Sequence, residues 1–456
     1  MRKSVVLVLV FVFLAACIAS IPASVSAGET ENTWAPKAPM HVARRGVGVA
    51  AVNGRIYAIG GNGEKGAVGT NEEYDPVNDT WMFKAEMPTP RWGFAVAVYQ
   101  NKIYCIGGYN GDGDVVGVNE VYDPATDTWE TKASMRTVRV GLKANAVNGK
   151  IYLIGGYVPE GYHFRDPSFS EVYDPATNSW TSTAPLPNGT SGYASAVFDG
   201  KIYVMGGVSN VAVGNLTQIY DPETDTWSKG AESPWTIAYA DAGVTLSVDA
   251  PRRIYVLSRD FNTADVVIRV FDPELGTWSS GAALPTGRRG ASVAVVDDRL
   301  YAIGGYRTFN NSTIPFDWSG YYTVEYATNE QYTPYGYGAV PPVISIYSPT
   351  NNYSCNETNV SLTFTVNKPA TWLGYSLDGQ DNVTIAGNIT ITSLTGGLHN
   401  VTVYAKDQFE NTGASETITF TVAKPEPFPT TPVIASAAAA VAITAALLVY
   451  FKKRRR

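Results

Sequence analysis

Residues 101–129 read NKIYCIGGYNGDGDVVGVNEVYDPATDTW. A short apolar strand runs into Gly107-Gly108, a polar loop follows, a second strand ends at Tyr122-Asp123-Pro124, and a tight turn leads to Trp129. The unit returns along the chain. Its paired glycines stand at Gly60-Gly61, Gly107-Gly108, Gly155-Gly156, Gly206-Gly207 and Gly304-Gly305, with Ser258-Arg259 in the same slot of one degenerate copy, at spacings of 47, 48, 51, 52 and 46 residues. The segments before each pair, such as 94–99 and 102–106, are short, apolar and rich in β-branched or aromatic residues, which suits strands buried between sheets. Asp-Pro followed by Asn or Asp is turn chemistry, because proline presets φ and the carboxylate bonds the turn's own backbone. A period of this length built of β segments specifies propeller blades, and six copies predict six blades of four strands.

Tyr74, Tyr122, Tyr173, Tyr220 and Phe271 each precede a tryptophan by seven residues: Trp81, Trp129, Trp180, Trp227 and Trp278. With the double glycines, this pattern resembles the kelch-repeat family over residues 31–337. Closure is legible at the ends of the array. Trp34 has no Tyr-Asp-Pro before it, while the last copy ends at Tyr332-Thr333-Pro334 with no tryptophan after it. The N-terminal segment is therefore expected to supply the outer strand of the last blade, which removes an open sheet edge.

Residues 1–27 combine Arg2 and Lys3, an apolar run and the small residues Val25-Ser26-Ala27, a secretory signal pattern. Leu14-Ala15-Ala16-Cys17 also resembles a lipobox, which would make Cys17 a lipidated N-terminus. Residues 433–451 carry no charge and precede Lys452, Lys453 and Arg454 to Arg456, so a single membrane-spanning helix with a basic cytoplasmic tail is expected. Most of the chain would then lie outside the cell. Without the two N-terminal and five C-terminal cations, 27 basic residues face 41 acidic ones, a net charge of about −14. That balance argues against nucleic acid as a partner. Cys105 and Cys355 fall in different units, so no disulfide framework is expected, and Cys105 reads as a small buried hydrophobe.

The aromatic repeat stops at 338–342, and residues 341–423 alternate apolar and polar positions in six or seven short segments, read as 343–347, 360–366, 370–377, 383–391, 397–405 and 416–422. This predicts a β-sandwich, and the segments around 394–412 resemble immunoglobulin-like stalk modules of prokaryotic, archaeal-type surface proteins. Residues 424–432, with four prolines, read as a semi-rigid spacer. Sequons stand at Asn78, Asn188, Asn215, Asn310, Asn311, Asn352, Asn356, Asn359, Asn382, Asn388 and Asn400. In an exported chain they are candidate glycosylation sites.

Arg44, Arg91, Arg139 and Arg288 each lie two residues before a glycine that itself precedes the double-glycine position by 14 residues. Four blades thus bring an arginine to one level. The kelch resemblance implies that such arginines line the central pocket and grip a ligand, and these four are the candidate contacts. The residue two before the repeat tyrosine supplies a second reading. It is Glu72, Glu120, Glu171 or Glu330 in the blades with arginine. In blade four Thr190 and Gln218 replace the two charges, and in blade five the slots hold Asp241 and Arg269 if one residue is inserted. Charges that vanish together and invert together point to ion pairing within the blade.

Copper chemistry of the kind found in some kelch enzymes needs a histidine pair, and His41, His163 and His399 are scattered. Asn110, Asp112 and Asp114 begin like a calcium loop but lack its glycine and terminal glutamate. No cofactor, metal or catalytic residue is assigned. Two long aromatic loops, 157–169 and 306–322, could carry recognition, with Tyr162, His163, Phe164, Phe309, Phe316, Trp318, Tyr321 and Tyr322. The reading is a surface-anchored binding or adhesion protein for an extracellular protein or glycan. The alternative is an extracellular sugar-modifying enzyme.

Overall fold

A computed structural model describes residues 30–454 apart from 161–162, 166–167, 210–213, 261–264, 311–320 and 425–429. The signal-like segment with Cys17, the sequon at Asn311, Tyr162, Phe316, Trp318 and most of the proline-rich spacer lie outside the described residues. The chain begins with six four-stranded antiparallel sheets. Blade 1 comprises Gly48–Val52, Arg55–Ile59, Asn71–Asp75 and Thr80–Lys84. Blade 2 repeats it at Ala95–Tyr99, Lys102–Ile106, Asn119–Asp123 and Thr128–Lys132. Blades 3, 4 and 5 open on Lys143–Val147, Ala194–Phe198 and Asp241–Val244. Blade 6 joins Ser292–Val296, Arg299–Ile303 and Asn329–Thr333 to the N-terminal strand Thr33–Lys37. The first strands of the sheets touch in cyclic order and close between blades 6 and 1, an all-β ring of propeller form.

Residues rather than covalent links hold the ring shut. In every blade the repeat aromatic and the tryptophan are cross-strand partners, from Tyr74 opposite Trp81 to Tyr332 opposite Trp34. Each indole N–H then donates to a carbonyl of the preceding blade: Trp81 to Ala38 at 2.7 Å, Trp129 to Ala85 at 2.8 Å, Trp180 to Ala133 at 2.8 Å, Trp227 to Ala184 at 3.0 Å, Trp278 to Ala231 at 3.2 Å and Trp34 to Ala282 at 3.2 Å. The turn before every tryptophan except that of blade 5 carries an Asp or Asn in the left-handed region, which these short polar side chains tolerate. Asp79, at φ 52°, accepts from the Tyr74 hydroxyl at 2.6 Å and from the Ala38 amide at 2.8 Å. One residue of the neighbouring blade is therefore clamped at both its N–H and its C=O. Blade 5 has Phe271 and Gly276 in these places, so hydroxyl and carboxylate are absent together.

A second unit follows, with one sheet of Ile344–Ser348, Val360–Val366 and Ile389–Ile391 and another built on Gly397–Lys406, flanked by Trp372–Leu377 and Ile418–Val422. Leu362, Phe364, Val401, Val403 and Phe420 form its core. The segment 383–391, read as one strand, is two. Val383–Ile385 and Ile389–Ile391 pair in opposite sheets, and the chain crosses between them at Ala386-Gly387-Asn388. Tyr353–Cys355 and Thr412–Ala414 are further short strands.

His399, buried in this unit, holds Asp378 at 2.8 Å through Nδ1 and the Thr395 carbonyl at 2.7 Å through Nε2. Burial works to lower its pKa, but the carbonyl and the carboxylate outweigh it and raise it above 6.5. A raised folded value means that this stabilisation is complete below the unfolded pKa and is lost as pH rises through the folded one. The unit is expected to unfold at a slightly lower temperature at pH 9 than at pH 6, by no more than about 2 °C because solvent at Asp378 screens the pair. His399→Gln should make the calorimetric midpoint flat over that range. A wild-type midpoint already flat would contradict this role.

The final element is a helix, Thr430–Lys453, over the stretch expected to span a membrane. Among the described residues, no helix is long and apolar enough to cross one.

Candidate functional site

The four candidate arginines are 0–1% exposed. Each is folded back into its own blade. Arg44 Nη2 meets Glu72 at 3.0 Å and Arg139 Nη2 meets Glu171 at 2.8 Å, while Arg91 pairs with Glu120 and Arg288 with Glu330. The guanidinium groups also donate to strand carbonyls, as Arg91 does to Cys105 and Arg288 to Ala302, both at 2.8 Å. Burial lowers the Arg44 pKa to about 10 against the pull of Glu72, and lowers Arg139 and Arg288 in the same way. The carboxylates tie down the incoming loop as well: Glu72 accepts the His41 amide at 2.7 Å, and Glu120 the Thr89 hydroxyl at 2.8 Å. In blade 4 the neutral Gln218 makes the same tie to the Asn188 amide at 2.9 Å.

Blade 5 requires a correction. The residue in the arginine slot is Ile237, whose carbonyl accepts from Gly207 at 2.7 Å as the Arg91 carbonyl accepts from Gly61 at 2.9 Å. Arg269 is paired with Asp260 at 2.5 Å and lies 4.1 Å from the Trp235 ring. Asp241 instead begins the innermost strand and reaches Lys143 of blade 3 at 2.8 Å. The 14-residue spacing does not hold in blade 5, which carries a long hairpin between Val244 and Ile254.

The innermost strands run away from one face of the ring and the second strands return to it, ending at the double glycines, so that face surrounds the channel mouth. A cavity of about 350 Å³ opens there, lined by Arg45, Trp92, Lys143, Tyr239, Asp241 and Tyr306, among others. An adjoining lobe of about 480 Å³ adds Tyr109 and Tyr157. None of the four buried arginines lines either space. The residue after the slot does the facing in the first four blades: Arg45 and Trp92 after Arg44 and Arg91, Val140 after Arg139, and Ser191 after Thr190. Trp92 stacks on Tyr109 at 4.8 Å, and the Tyr109 and Tyr157 hydroxyls share a 2.6 Å hydrogen bond. Burial, and then that hydrogen bond, push the Tyr157 hydroxyl well above its ordinary pKa, so this phenol stays neutral. Arg45 sits 5.4 Å from the Tyr306 ring and 3.8 Å from Glu325. At the floor the Lys143–Asp241 pair separates the mouth from a smaller space of about 150 Å³ down the channel.

Both aromatic loops begin at this mouth. Val158–Glu160 pairs with His163–Arg165, and Tyr306–Asn310 with Tyr321–Glu325. Phe309 stacks on Tyr322 at 5.4 Å. Asn110 spends its side-chain oxygen on the amides of Asp112 and Asp114, at 3.0 and 2.8 Å. No cluster of three or more metal-ligating side chains occurs among the described residues. Cys105 is fully buried, and burial pushes its thiol up to about 12. Of the sequons, Asn78, Asn188, Asn352, Asn356, Asn359, Asn382, Asn388 and Asn400 are exposed. Asn215 is half-buried and donates to the Ser233 carbonyl at 3.0 Å.

Residues 93–305 match the family model described as KLHDC2/KLHL20/DRC7 Kelch-repeats domain, and residues 43–88 match the Kelch motif. Among curated proteins the chain is similar to Kelch-like protein 35 of Mus musculus, 30% identical over 144 residues that make up 31% of this chain and 24% of that protein. It is also similar to Kelch-like protein 15 of Danio rerio, 31% identical over 181 residues, 34% of this chain and 29% of that one. The chain thus spans less than a third of the length of these relatives. Among solved structures, that of YjhT aligns over 59% of this chain and 92% of its own, with 20% identity and a TM-score of 0.48.

Proposed function

We propose that this kelch-repeat protein is an interaction module whose propeller captures a partner at the channel mouth while the second unit holds the opposite face. The observation that carries the reading is the concentration of exposed or half-buried aromatic rings, Trp92, Tyr109, Tyr157, Tyr239 and Tyr306, around one cavity. Concave, largely apolar sites with a few convergent polar groups are where ligands bind. The second unit reaches the ring through Asp249, in the hairpin of blade 5, and every such hairpin lies on the face away from the mouth. The mouth is therefore left open.

The proposal extends to place. The signal-like residues 1–27, an immunoglobulin-like stalk at 341–423 and eight exposed sequons support an exported, glycosylated protein with its propeller outside the cell. An extracellular protein or glycan is the partner this arrangement suits. Nothing in the acidic exterior favours nucleic acid.

The test is capture of partners by the full chain on cells and on protein and glycan arrays. Arg45→Ala with Trp92→Ala should reduce retention at least tenfold at an unchanged melting temperature. Retention untouched by both changes would sink the mouth as the site. The titratable pair Lys143–Asp241 in the cavity keeps a sugar-modifying enzyme as the second reading. Turnover of a sugar that Asp241→Asn abolishes in a folded protein would replace binding by catalysis.

A further inference from the structure

Six blades present the same backbone position to the mouth, and five of them fill it with glycine at positive φ: Gly46 at 57°, Gly93 at 65°, Gly141 at 65°, Gly192 at 60° and Gly290 at 62°. Blade 5 has Tyr239 there, at φ 50°. An aromatic residue in the left-handed region is a genuine outlier, and such strain concentrates where a ligand is held. Packing does not account for it, because Tyr239 is 58% exposed. It lines both lobes of the mouth together with Trp92 and Tyr306, and shares the second with Tyr109. A glycine at this place would fit the local backbone better, as the other five blades demonstrate.

The cavity's charges are already satisfied. Lys143 Nζ and Asp241 Oδ1 are 2.8 Å apart, Asp241 Oδ2 accepts the Val293 amide at 2.9 Å, and Arg45 lies 3.8 Å from Glu325. An anionic ligand would have to displace Asp241 or Glu325 from these cations, and a cationic one would have to displace the cations. A neutral ligand displaces neither. Side by side, the ammonium and the carboxylate offer a donor and an acceptor at the spacing of two neighbouring hydroxyl groups, one of which donates to Asp241 while the other accepts from Lys143. The aromatic walls match the apolar C–H faces of a compact ring, and about 350 Å³ is room for one or two such rings.

We propose that Tyr239 is the specificity-determining wall of the mouth and that the site takes a neutral saccharide unit, stacked against Tyr239 and Trp92 and hydrogen-bonded through adjacent hydroxyls to Asp241 and Lys143. This rests on the reading of the mouth as the binding site and assigns the class of its ligand.

The experiment titrates the full chain with methyl glycosides of neutral hexoses and N-acetylhexosamines, with a uronic acid and an acidic peptide as charged comparators, following tryptophan fluorescence and ligand-observed NMR. Tyr239→Gly is expected to weaken glycoside binding at least tenfold while leaving the melting temperature unchanged or raising it by about 1–3 °C. A purely structural tyrosine gives the opposite pair of results, a melting temperature lower by more than about 5 °C with binding intact, and overturns the proposal. Absence of glycoside binding up to about 10 mM, a concentration that reveals even weak sites, overturns the ligand class, as does preference for the uronic acid or the peptide. In those cases loss of partner capture on Trp92→Ala still upholds the mouth as the site; if Trp92→Ala leaves capture of every ligand unchanged, the mouth reading itself fails.

Discussion

Arg91→Ala is expected to lower the melting temperature of the propeller by roughly 6–15 °C, the consequence of ~3–5 kcal/mol lost when one member of a buried ion pair is removed. The cost comes less from the lost attraction than from what remains. Glu120, 2% exposed, would be left in a low-dielectric setting with the Thr89 hydroxyl as its remaining side-chain partner, and the carbonyls of Thr89 and Cys105 would lose their donor. Blade 4 supplies the control. It fills the same two slots with Thr190 and Gln218, which join the blade by neutral hydrogen bonds. Arg91→Thr with Glu120→Gln should therefore recover most of the lost stability, since replacing both charges removes the stranded one. Scanning calorimetry on the two variants decides it. A single variant as stable as the wild type, or a double variant worse than the single, would show that the pair is not what holds the loop before the innermost strand.

That pairing was legible in the sequence because charge covaries between two slots of a repeat, and so were the six-fold period and the closing role of Trp34. What the residues did not disclose is direction. A period of 14 residues places Arg44, Arg91, Arg139 and Arg288 at one level of the ring, but a one-residue step turns a side chain from the blade interior to the channel mouth. The cavity wall thus belongs to Arg45 and Trp92, one residue along. Blade 5 departs from the spacing for a related reason. Its glycine slot is filled by Tyr239, and 19 residues rather than 14 separate this from Ser258, so neither the landmark nor the spacing survived. The sequence carries a further signal: Asp79, Asp127, Asn178 and Asp225 each stand five residues after the repeat tyrosine, and the carboxylate or amide disappears in the one copy, Gly276, where the tyrosine is Phe271. The hydroxyl-to-turn hydrogen bond could have been inferred from that alone.

Lys368→Ala is expected to free the second unit from the ring and to split one unfolding transition into two. Lys368 has 2% of its side chain exposed and joins three parts of the molecule: Asp407 of its own unit at 2.9 Å, Asp249 of blade 5 at 3.2 Å and the Val340 carbonyl of the connecting segment at 2.5 Å. Asp249 is itself presented by a fixed loop, because the buried Asp298 carboxylate accepts the amides of Leu246, Val248, Asp249 and Ala250 at 2.5–3.0 Å. Around this ammonium, Tyr337 meets Phe409 edge-on at 5.8 Å, and Asn411 donates to the Gly338 carbonyl at 2.6 Å. Removing the cation leaves two carboxylates facing one another without a counter-charge, a cost of about 3 kcal/mol or more. Burial opposes ionisation of Asp407, yet Asn411 and Lys368 hold its carboxyl below the usual range. A depressed folded pKa gives stability that is present above the unfolded value, near 4, and is lost as pH falls through the folded one. Acid should therefore imitate the substitution, loosening the junction below about pH 4. Small-angle scattering would then report a wider distribution of distances between the units for Lys368→Ala at pH 7, and for the wild type in acid. If both profiles match that of the wild type at pH 7, the aromatic contacts alone hold the second unit against the ring, and the direction of the mouth does not depend on this lysine.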